Sequence, residues 1–159
     1  MTRNALLVVF GAATWATAAS ASAAVAVAFI EPERFSDFSD SGRHELRLNL
    51  EEIEQHLKRL GEKYLAPGQS LKIDVLDIDL AGREERAGSP PRDIRVLRGA
   101  ADWPRFTLRH TLDGGSVREE TVLDRSYLAR SVYTDTGARL PYEKQMLENW
   151  FRERFGARH

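Results

Sequence analysis

Hydrophobic residues recur at helical spacing in two segments of the chain. In the first segment, steps of four and three separate Leu46, Leu50, Ile53, Leu57, Leu60 and Tyr64. This spacing predicts a long helix with one apolar stripe. The helix begins either near Glu45 or at Asn49, because Asn49 followed by Glu52 matches an N-cap pair. The second stripe lies between Pro141 and Gly156, and it consists of Tyr142, Met146, Leu147, Trp150, Phe151 and Phe155.

Alternation of apolar and polar residues predicts strands between the helices. Residues 25–30 alternate small and large apolar side chains, which is typical of a strand. Leu71 to Leu80 also alternates, but the phase changes at Val75-Leu76, which predicts a bulge there. The charged, proline-broken segment Ala81 to Arg92 is predicted to be a loop, and Asp93 to Arg98 a short strand.

Asp113-Gly114-Gly115 separates two further alternating segments, 105–112 and 116–124, and predicts a hairpin. A two-residue turn at Gly114-Gly115 places apolar residues opposite apolar residues, and charged residues opposite residues of the other sign, on the two strands. The predicted pairs are Leu112 with Val117, Leu108 with Thr121, Phe106 with Leu123, Arg109 with Glu120, and Arg105 with Asp124. His110 is predicted to be a partly buried histidine near Glu119.

The order of these elements is strand, helix, four strands and helix. This order predicts the α+β class, with a two-layer sandwich. One layer is a mixed, mostly antiparallel sheet of about five strands, and two amphipathic helices pack on one of its faces. The order of the strands in the sheet is left open, as is the oligomeric state.

The first 23 residues have the layout of a secretory signal peptide. Arg3 supplies a positive charge, an apolar run follows from Ala5 to Ala19, and small residues at 19–24 offer cleavage sites. The alternative is an uncleaved anchor, because low polarity continues to Ile30. We predict cleavage, which leaves residues 24–159 as a single periplasmic domain without a membrane span. The protein is not a lipoprotein, since no cysteine follows the apolar run.

Composition excludes several classes of function. The chain has 23 Lys and Arg against 24 Asp and Glu, so its net charge of −1 provides no general attraction for nucleic acid. It contains no cysteine, which rules out disulfides, thiol catalysis and cysteine-ligated zinc. No motif for a cofactor or resident metal is found, and none is expected.

Five motifs, in order along the chain, resemble those of a secreted proteobacterial family known only as domain-of-unknown-function family 3016. They are residues 71–82 (LKIDVLDIDLAG), residues 92–98 (RDIRVLR), Trp103-Pro104-Arg105, Asp124 with Tyr127-Leu128, and Tyr142-Glu143-Lys144 ahead of Trp150-Phe151. The resemblance covers most of the mature chain. It implies a periplasmic location and a small stand-alone domain, and it implies no activity.

Asp77 and Asp79 are the first candidate for chemistry, because alternate residues of a strand place both carboxylates on one face. Such a pair, with Asp74 or Asp93, could bind a hard cation through oxygens or act on a glycan. The favoured interpretation is that these acids pair with nearby arginines. Catalysis is therefore not expected.

The arginines between residues 83 and 109 are the better candidate for a binding surface. Arg95, Arg105 and Arg109 have the polar parity of their strands, and Trp103 lies beside them in the sequence. Guanidinium groups on an exposed sheet face suit an envelope protein or anionic envelope component. The sequence therefore predicts a non-catalytic periplasmic interaction or accessory module. The alternative is an envelope hydrolase or divalent-cation-binding protein that uses Asp77 and Asp79.

Overall fold

The computed structural model describes residues 22–37, 43–89, 92–99, 101–129 and 138–156. In these ranges the strands are β1 (Ala24–Phe29), β2 (Ser70–Asp79), β3 (Arg83–Ala87), β4 (Arg92–Val96), β5 (Arg105–Leu112) and β6 (Arg118–Leu123). The helices are α1 (Arg43–Tyr64) and α2 (Pro141–Phe155), and a short 3-10 turn lies at Pro32–Arg34.

The main sheet has the strand order β1-β2-β5-β6. The pair β1–β2 is parallel, whereas β2–β5 and β5–β6 are antiparallel. The α+β class and the mixed sheet are therefore confirmed. The predicted bulge is also present, because the β2–β5 register shifts between Val75 and Asp77.

The segment predicted as a loop, Ala81 to Arg92, instead contains strand β3. It pairs antiparallel with β4 to form a separate two-stranded hairpin, so the predicted strand at 93–98 does not join the main sheet. The sequence Arg-Glu-Glu-Arg-Ala in β3 shows no apolar alternation. Periodicity therefore could not reveal this strand, which is defined by backbone pairing with β4.

The first helix begins at Arg43, in agreement with the predicted start near Glu45. The alternative start at Asn49 is wrong, because Asn49 lies buried within the helix rather than capping it. The Asn49 side-chain oxygen accepts a hydrogen bond from Arg139 at 2.8 Å. The second helix begins at Pro141 and ends immediately before Gly156, as predicted. Neither helix has the length and apolarity needed to cross a membrane, and the same holds for the rest of the described chain.

One hydrophobic core joins both helices to one face of the main sheet. The buried side chains of the helices include Ile53, Leu57, Leu60, Met146, Leu147, Trp150 and Phe151. Those of the sheet include Leu71, Ile73, Val75, Ile78, Phe106, Leu108 and Val122. Both apolar stripes, the second of which contains Trp150 and Phe151, are thus confirmed.

The hairpin between β5 and β6 forms, but its predicted register is wrong by one residue. Asp113 and Gly114 have φ angles of 49° and 68°, and the Gly115 N–H donates to the Leu112 carbonyl. Positive φ at both central residues is what a type I′ turn requires, so the turn is Asp113-Gly114 rather than Gly114-Gly115.

The two strands also differ in length between the turn and the ladder. From the turn pair Leu112 and Gly115 to the first ladder pair His110 and Arg118, the second strand has two intervening residues and the first strand has one. The resulting pairs are His110 with Arg118, Arg109 with Glu119, Leu108 with Glu120, Thr107 with Thr121, Phe106 with Val122, and Arg105 with Leu123. Because side chains alternate along a strand, this shift moves Glu120 from the solvent face to the core face.

Asp113 also ties the turn to the start of β2. Its N–H donates to the Ser70 carbonyl and its carboxylate accepts from the Ser70 N–H, both at 2.7 Å. The same carboxylate accepts a longer bond, 3.4 Å, from the Gln69 amide. One residue therefore links the β5–β6 turn to the neighbouring strand.

We expect Asp113→Ala to lower the free energy of unfolding by about 1–3 kcal/mol, because alanine disfavours positive φ and lacks the acceptor for Ser70. Asp113→Asn is the matched control, since asparagine tolerates this φ and keeps one acceptor oxygen. Urea unfolding measures both. Equal losses for the two variants would contradict this role of Asp113.

The observed register also predicts which acidic residue Arg109 is coupled to. Arg109→Glu should destabilise the domain by about 0.5–1 kcal/mol, and Glu119→Arg should restore part of that loss. Glu120→Arg should restore nothing, since Glu120 lies on the other face. A double-mutant cycle by urea unfolding tests this, and coupling to Glu120 instead of Glu119 would show that the register is wrong.

Candidate functional site

The residues predicted to form one binding surface lie in separate places. Arg105, Arg109 and Asp79 share the face of the main sheet that lies opposite the core. Asp77 pairs with Thr107 and lies on the same face, where Ser36 binds its carboxylate. Arg95 instead belongs to the two-stranded hairpin. The structure therefore divides the predicted site, and each part has its own chemistry.

Arg95 is half-buried, which corrects its predicted position on the solvent face. Its guanidinium donates to the carbonyls of Ala81 and Gly82 at 3.2 and 3.4 Å and forms an ion pair with Asp37 at 2.9 Å. The cause is topological, because β4 pairs with β3 outside the main sheet and Arg95 reaches the end of β2. Arg95 therefore stabilises the fold.

A joint of polar contacts surrounds Arg95 and connects the hairpin to α2; we define it as Ala81, Gly82, Arg95, Asp102, Tyr127 and Glu143. Glu143 is only 3% exposed and accepts a hydrogen bond from the Ala81 N–H at 2.7 Å. Burial raises the pKa of Glu143 above its usual range. Gly82 has a φ of 79°, and a Cβ there would lie 2.6 Å from the Val96 carbonyl oxygen, so this position requires glycine.

Asp102 connects the segment after β4 to Tyr127. Its carboxylate accepts from the N–H groups of Arg98 and Gly99 and from the Tyr127 hydroxyl, at 2.6, 2.7 and 2.8 Å. Burial raises the pKa of Asp102, but these hydrogen bonds outweigh it and hold the pKa below its usual range. Burial and the Asp102 carboxylate raise the pKa of Tyr127 to about 12.

The motifs that carry the family resemblance meet at this joint. Gly82 ends the first motif, Arg95 lies in the second, and Asp102 immediately precedes the third. Tyr127 and Glu143 belong to the fourth and fifth motifs. The residues of the resemblance thus hold the hairpin, β2 and α2 together.

Asp77 and Asp79 do not form a shared site. Asp77 accepts hydrogen bonds from the Ser36 N–H and hydroxyl at 2.7 and 2.9 Å, whereas Asp79 pairs with Arg105 at 2.8 Å. Over the described part of the chain, no three acidic or histidine side chains are grouped closely enough to hold a metal ion. Each carboxylate has a structural partner.

We use the term open face for the side of the main sheet that bears Arg105, Thr107, Arg109, Glu119, Thr121 and Leu123. Arg105 pairs with Asp79, and Arg109 pairs with Glu119 at 3.0 Å. The predicted partner of Arg105, Asp124, instead accepts from the Ser126 N–H at 2.9 Å. The arginines are exposed, but the ladder also sets Asp74 opposite Arg109 and Asp77 opposite Thr107, so the carboxylates on this face outnumber its two arginines.

Trp103 is half-buried and lies against a different arginine from those predicted. The guanidinium carbon of Arg125 is 5.4 Å from the centre of the Trp103 ring, which is the geometry of a cation–π contact. The cationic neighbour of Trp103 is therefore Arg125.

A polar cluster that the sequence analysis did not identify lies on the core face, between β5, β6 and α2. Glu120 accepts hydrogen bonds from His110 Nε2 at 2.9 Å and Trp150 Nε1 at 3.0 Å, and it pairs with Arg154. Burial raises the pKa of Glu120, but the hydrogen bonds from Trp150, Arg154 and His110 outweigh it and keep the pKa below its usual range. Glu120 is therefore an anion that holds three side chains in place.

Two depressions adjoin this cluster and have Arg154 in common. One, of about 350 Å³, lies between β6 and α2, and the other, of about 330 Å³, lies beside His110 and Phe155. His110 is buried as predicted, but its partner is Glu120 rather than Glu119. The alternation of His110 with Phe106 and Leu108 already indicated the core face. With the correct hairpin register, the sequence would also have placed Glu120 there.

Comparison with known proteins gives one match. Residues 23–153 match the model of the family described as protein of unknown function, DUF3016. No curated protein and no solved structure matches the chain. Because the match covers most of the sequence, the chain belongs to the DUF3016 family.

Proposed function

We propose that this protein is an exported, non-catalytic interaction module whose open face binds an envelope protein through that protein's carboxylates. The observation that carries the proposal is the pairing of Leu123 with Arg105 on adjacent strands of an exposed sheet face. Leu123 is 39% exposed and the Arg105 side chain 44% exposed. Arginine next to an exposed apolar side chain is typical of protein interfaces.

Exposed apolar residues are concentrated around the edge strand β6. Large hydrophobic side chains that are exposed in the described ranges are Ile30, Val117, Leu123 and Leu128. Three of these four lie on β6 or within five residues of its ends. Several exposed apolar side chains close in sequence to one edge strand favour a contact surface there over a fully solvated one.

The ion pairs on the open face would not prevent binding. Arg105 and Arg109 are each 44% exposed, and exposed ion pairs contribute only about 0–1 kcal/mol. A partner carboxylate that forms two parallel hydrogen bonds with a guanidinium can therefore replace Asp79 or Glu119 at small cost.

The amino-terminal sequence supports export to the periplasm. A positive residue, an apolar run and small residues precede the family match, which begins at residue 23. This start is consistent with a mature domain that begins near Val25. The alternative of a hydrolase or cation-binding protein has less support, because Ser36 binds the carboxylate of Asp77 and no three acidic or histidine side chains in the described ranges are grouped closely enough to hold a metal ion.

The open face can be tested by photo-crosslinking in the native host from a probe placed at Thr107. We expect one or more defined crosslinked products, and we expect Arg105→Ala with Arg109→Ala to remove them because the guanidinium groups hold the partner. Arg34→Ala with Arg47→Ala is the matched control, since these arginines also form exposed ion pairs, with Glu31 and Glu51.

Circular dichroism and thermal melting should show that both double variants fold. Crosslinks that persist in the Arg105/Arg109 variant, or that disappear equally in the control variant, would contradict docking on the open face.

Export makes a separate prediction about the mature protein. Intact-mass analysis of protein purified from the native host should give a chain that starts near Val25, because a signal peptidase removes residues 1–23 or 1–24. Protein that retains Met1 and sediments with membranes would contradict export with cleavage.

A further inference from the structure

The depression beside His110 has properties of a ligand site that is distinct from the open face. We call it the His110 pocket, and its lining consists of His110, Leu112, Gly115, Ser116, Arg118, Arg154 and Phe155. Its volume of about 330 Å³ is within the range of pockets for small molecules. It lies at the turn end of the β5–β6 hairpin, next to the last turn of α2.

The charge of the lining favours an anion. Arg118 and Arg154 contribute two positive charges, and no carboxylate belongs to the lining. Arg118 is the cross-strand partner of His110 and therefore projects from the same face of the hairpin. In the described part of the chain Arg118 has no ion-pair or hydrogen-bond partner, so its guanidinium is available to a ligand.

Arg154 differs from Arg118 because Glu120 already binds it. That contact fixes the position of the Arg154 guanidinium at the boundary between the two depressions. One positioned and one unpaired arginine thus lie on the same pocket, an arrangement suited to holding a carboxylate.

The imidazole of His110 contributes a third polar contact. Its Nε2 is bonded to Glu120, which fixes the ring, whereas Nδ1 has no partner among the described residues. Because His110 lines the pocket, Nδ1 is the ring nitrogen left for a ligand there.

The remaining wall of the pocket is apolar. Phe155 packs edge-on against His110, with ring centres 5.5 Å apart, and Leu112 lies on the same pocket. A ligand that fills the pocket should thus combine an anionic group with a short apolar group.

We propose that the His110 pocket binds an organic carboxylate that has a short apolar substituent. The carboxylate lies against Arg118, Arg154 and His110 Nδ1, and the apolar group lies against Phe155 and Leu112. Both a free organic acid and the carboxyl-terminal residue of a peptide offer this chemistry. The proposal does not depend on partner docking at the open face, which uses the opposite side of the same strands.

Titration of the full mature chain with phenylacetate tests this proposal, with phenylacetamide as the uncharged control and inorganic phosphate as the anion without an apolar group. Nitrogen-15 NMR reports the Nδ1 resonance of His110, and calorimetry reports affinity. We expect phenylacetate to shift that resonance and to bind at least tenfold more tightly than either control. Comparable binding of phenylacetamide or phosphate would overturn the assigned ligand class.

Arg118→Gln should reduce the affinity for phenylacetate at least tenfold, whereas Arg47→Gln, an exposed arginine of α1 outside the pocket lining, should leave it unchanged. Both arginines are exposed, so both variants should fold, which melting curves check. Unchanged affinity in Arg118→Gln would overturn the proposal.

A tripeptide ending in phenylalanine, compared with its carboxyl-amidated form, identifies the source of the carboxylate. Stronger binding of the free tripeptide than of phenylacetate assigns the pocket to peptide ends, and the reverse assigns it to free acids. The Arg105/Arg109 double variant should lose its crosslinks and still bind phenylacetate normally. That result would show that the His110 pocket and the open face act independently.

Discussion

The register of the β5–β6 hairpin is the constraint on which both candidate surfaces depend, and two features set it: the turn at Asp113-Gly114 and the one extra residue of the second strand between that turn and the ladder. The positive φ of Asp113 forms the turn, and its N–H and carboxylate both bind Ser70 at the start of β2. Because side chains alternate across a sheet, a slip of one residue on β6 would exchange its two faces. Glu120 would then face solvent, and His110, Trp150 and Arg154 would lose the anion that holds them.

Residues in the motifs of the family resemblance hold the chain in place where it leaves the main sheet. The buried carboxyl of Glu143 and the half-buried guanidinium of Arg95 both bind the backbone at residues 81–82, where the chain leaves the main sheet. Removing either partner would leave buried polar groups unsatisfied, which is costly in a low-dielectric interior. The motif residues at the joint have structural partners. Their presence in the sequence therefore indicates the fold and does not indicate an activity.

The pattern of apolar residues within a segment predicted the elements whose structure depends on that segment alone. The two apolar stripes predicted α1 and α2, and the change of phase at Val75 predicted the bulge, because each signal lies within one segment. Strand β3 was missed because its stability depends on pairing with β4 and its side chains carry no apolar period. The predicted hairpin register was wrong because it assumed equal strands on either side of a Gly114-Gly115 turn. The turn is Asp113-Gly114, and the second strand has one residue more than the first before the ladder begins.

The same error explains why the His110 pocket was not found from the sequence. With Glu120 assigned to the solvent face, the predicted carboxylate neighbour of His110 was Glu119, and Arg118 was placed on the opposite face of the hairpin from His110. In the observed register, odd-numbered residues of β5 and β6 form the open face, whereas His110, Arg118 and Glu120 point to the core side. One hairpin thus presents guanidinium groups on two opposite surfaces, and substitutions on one strand can alter either surface without altering the other.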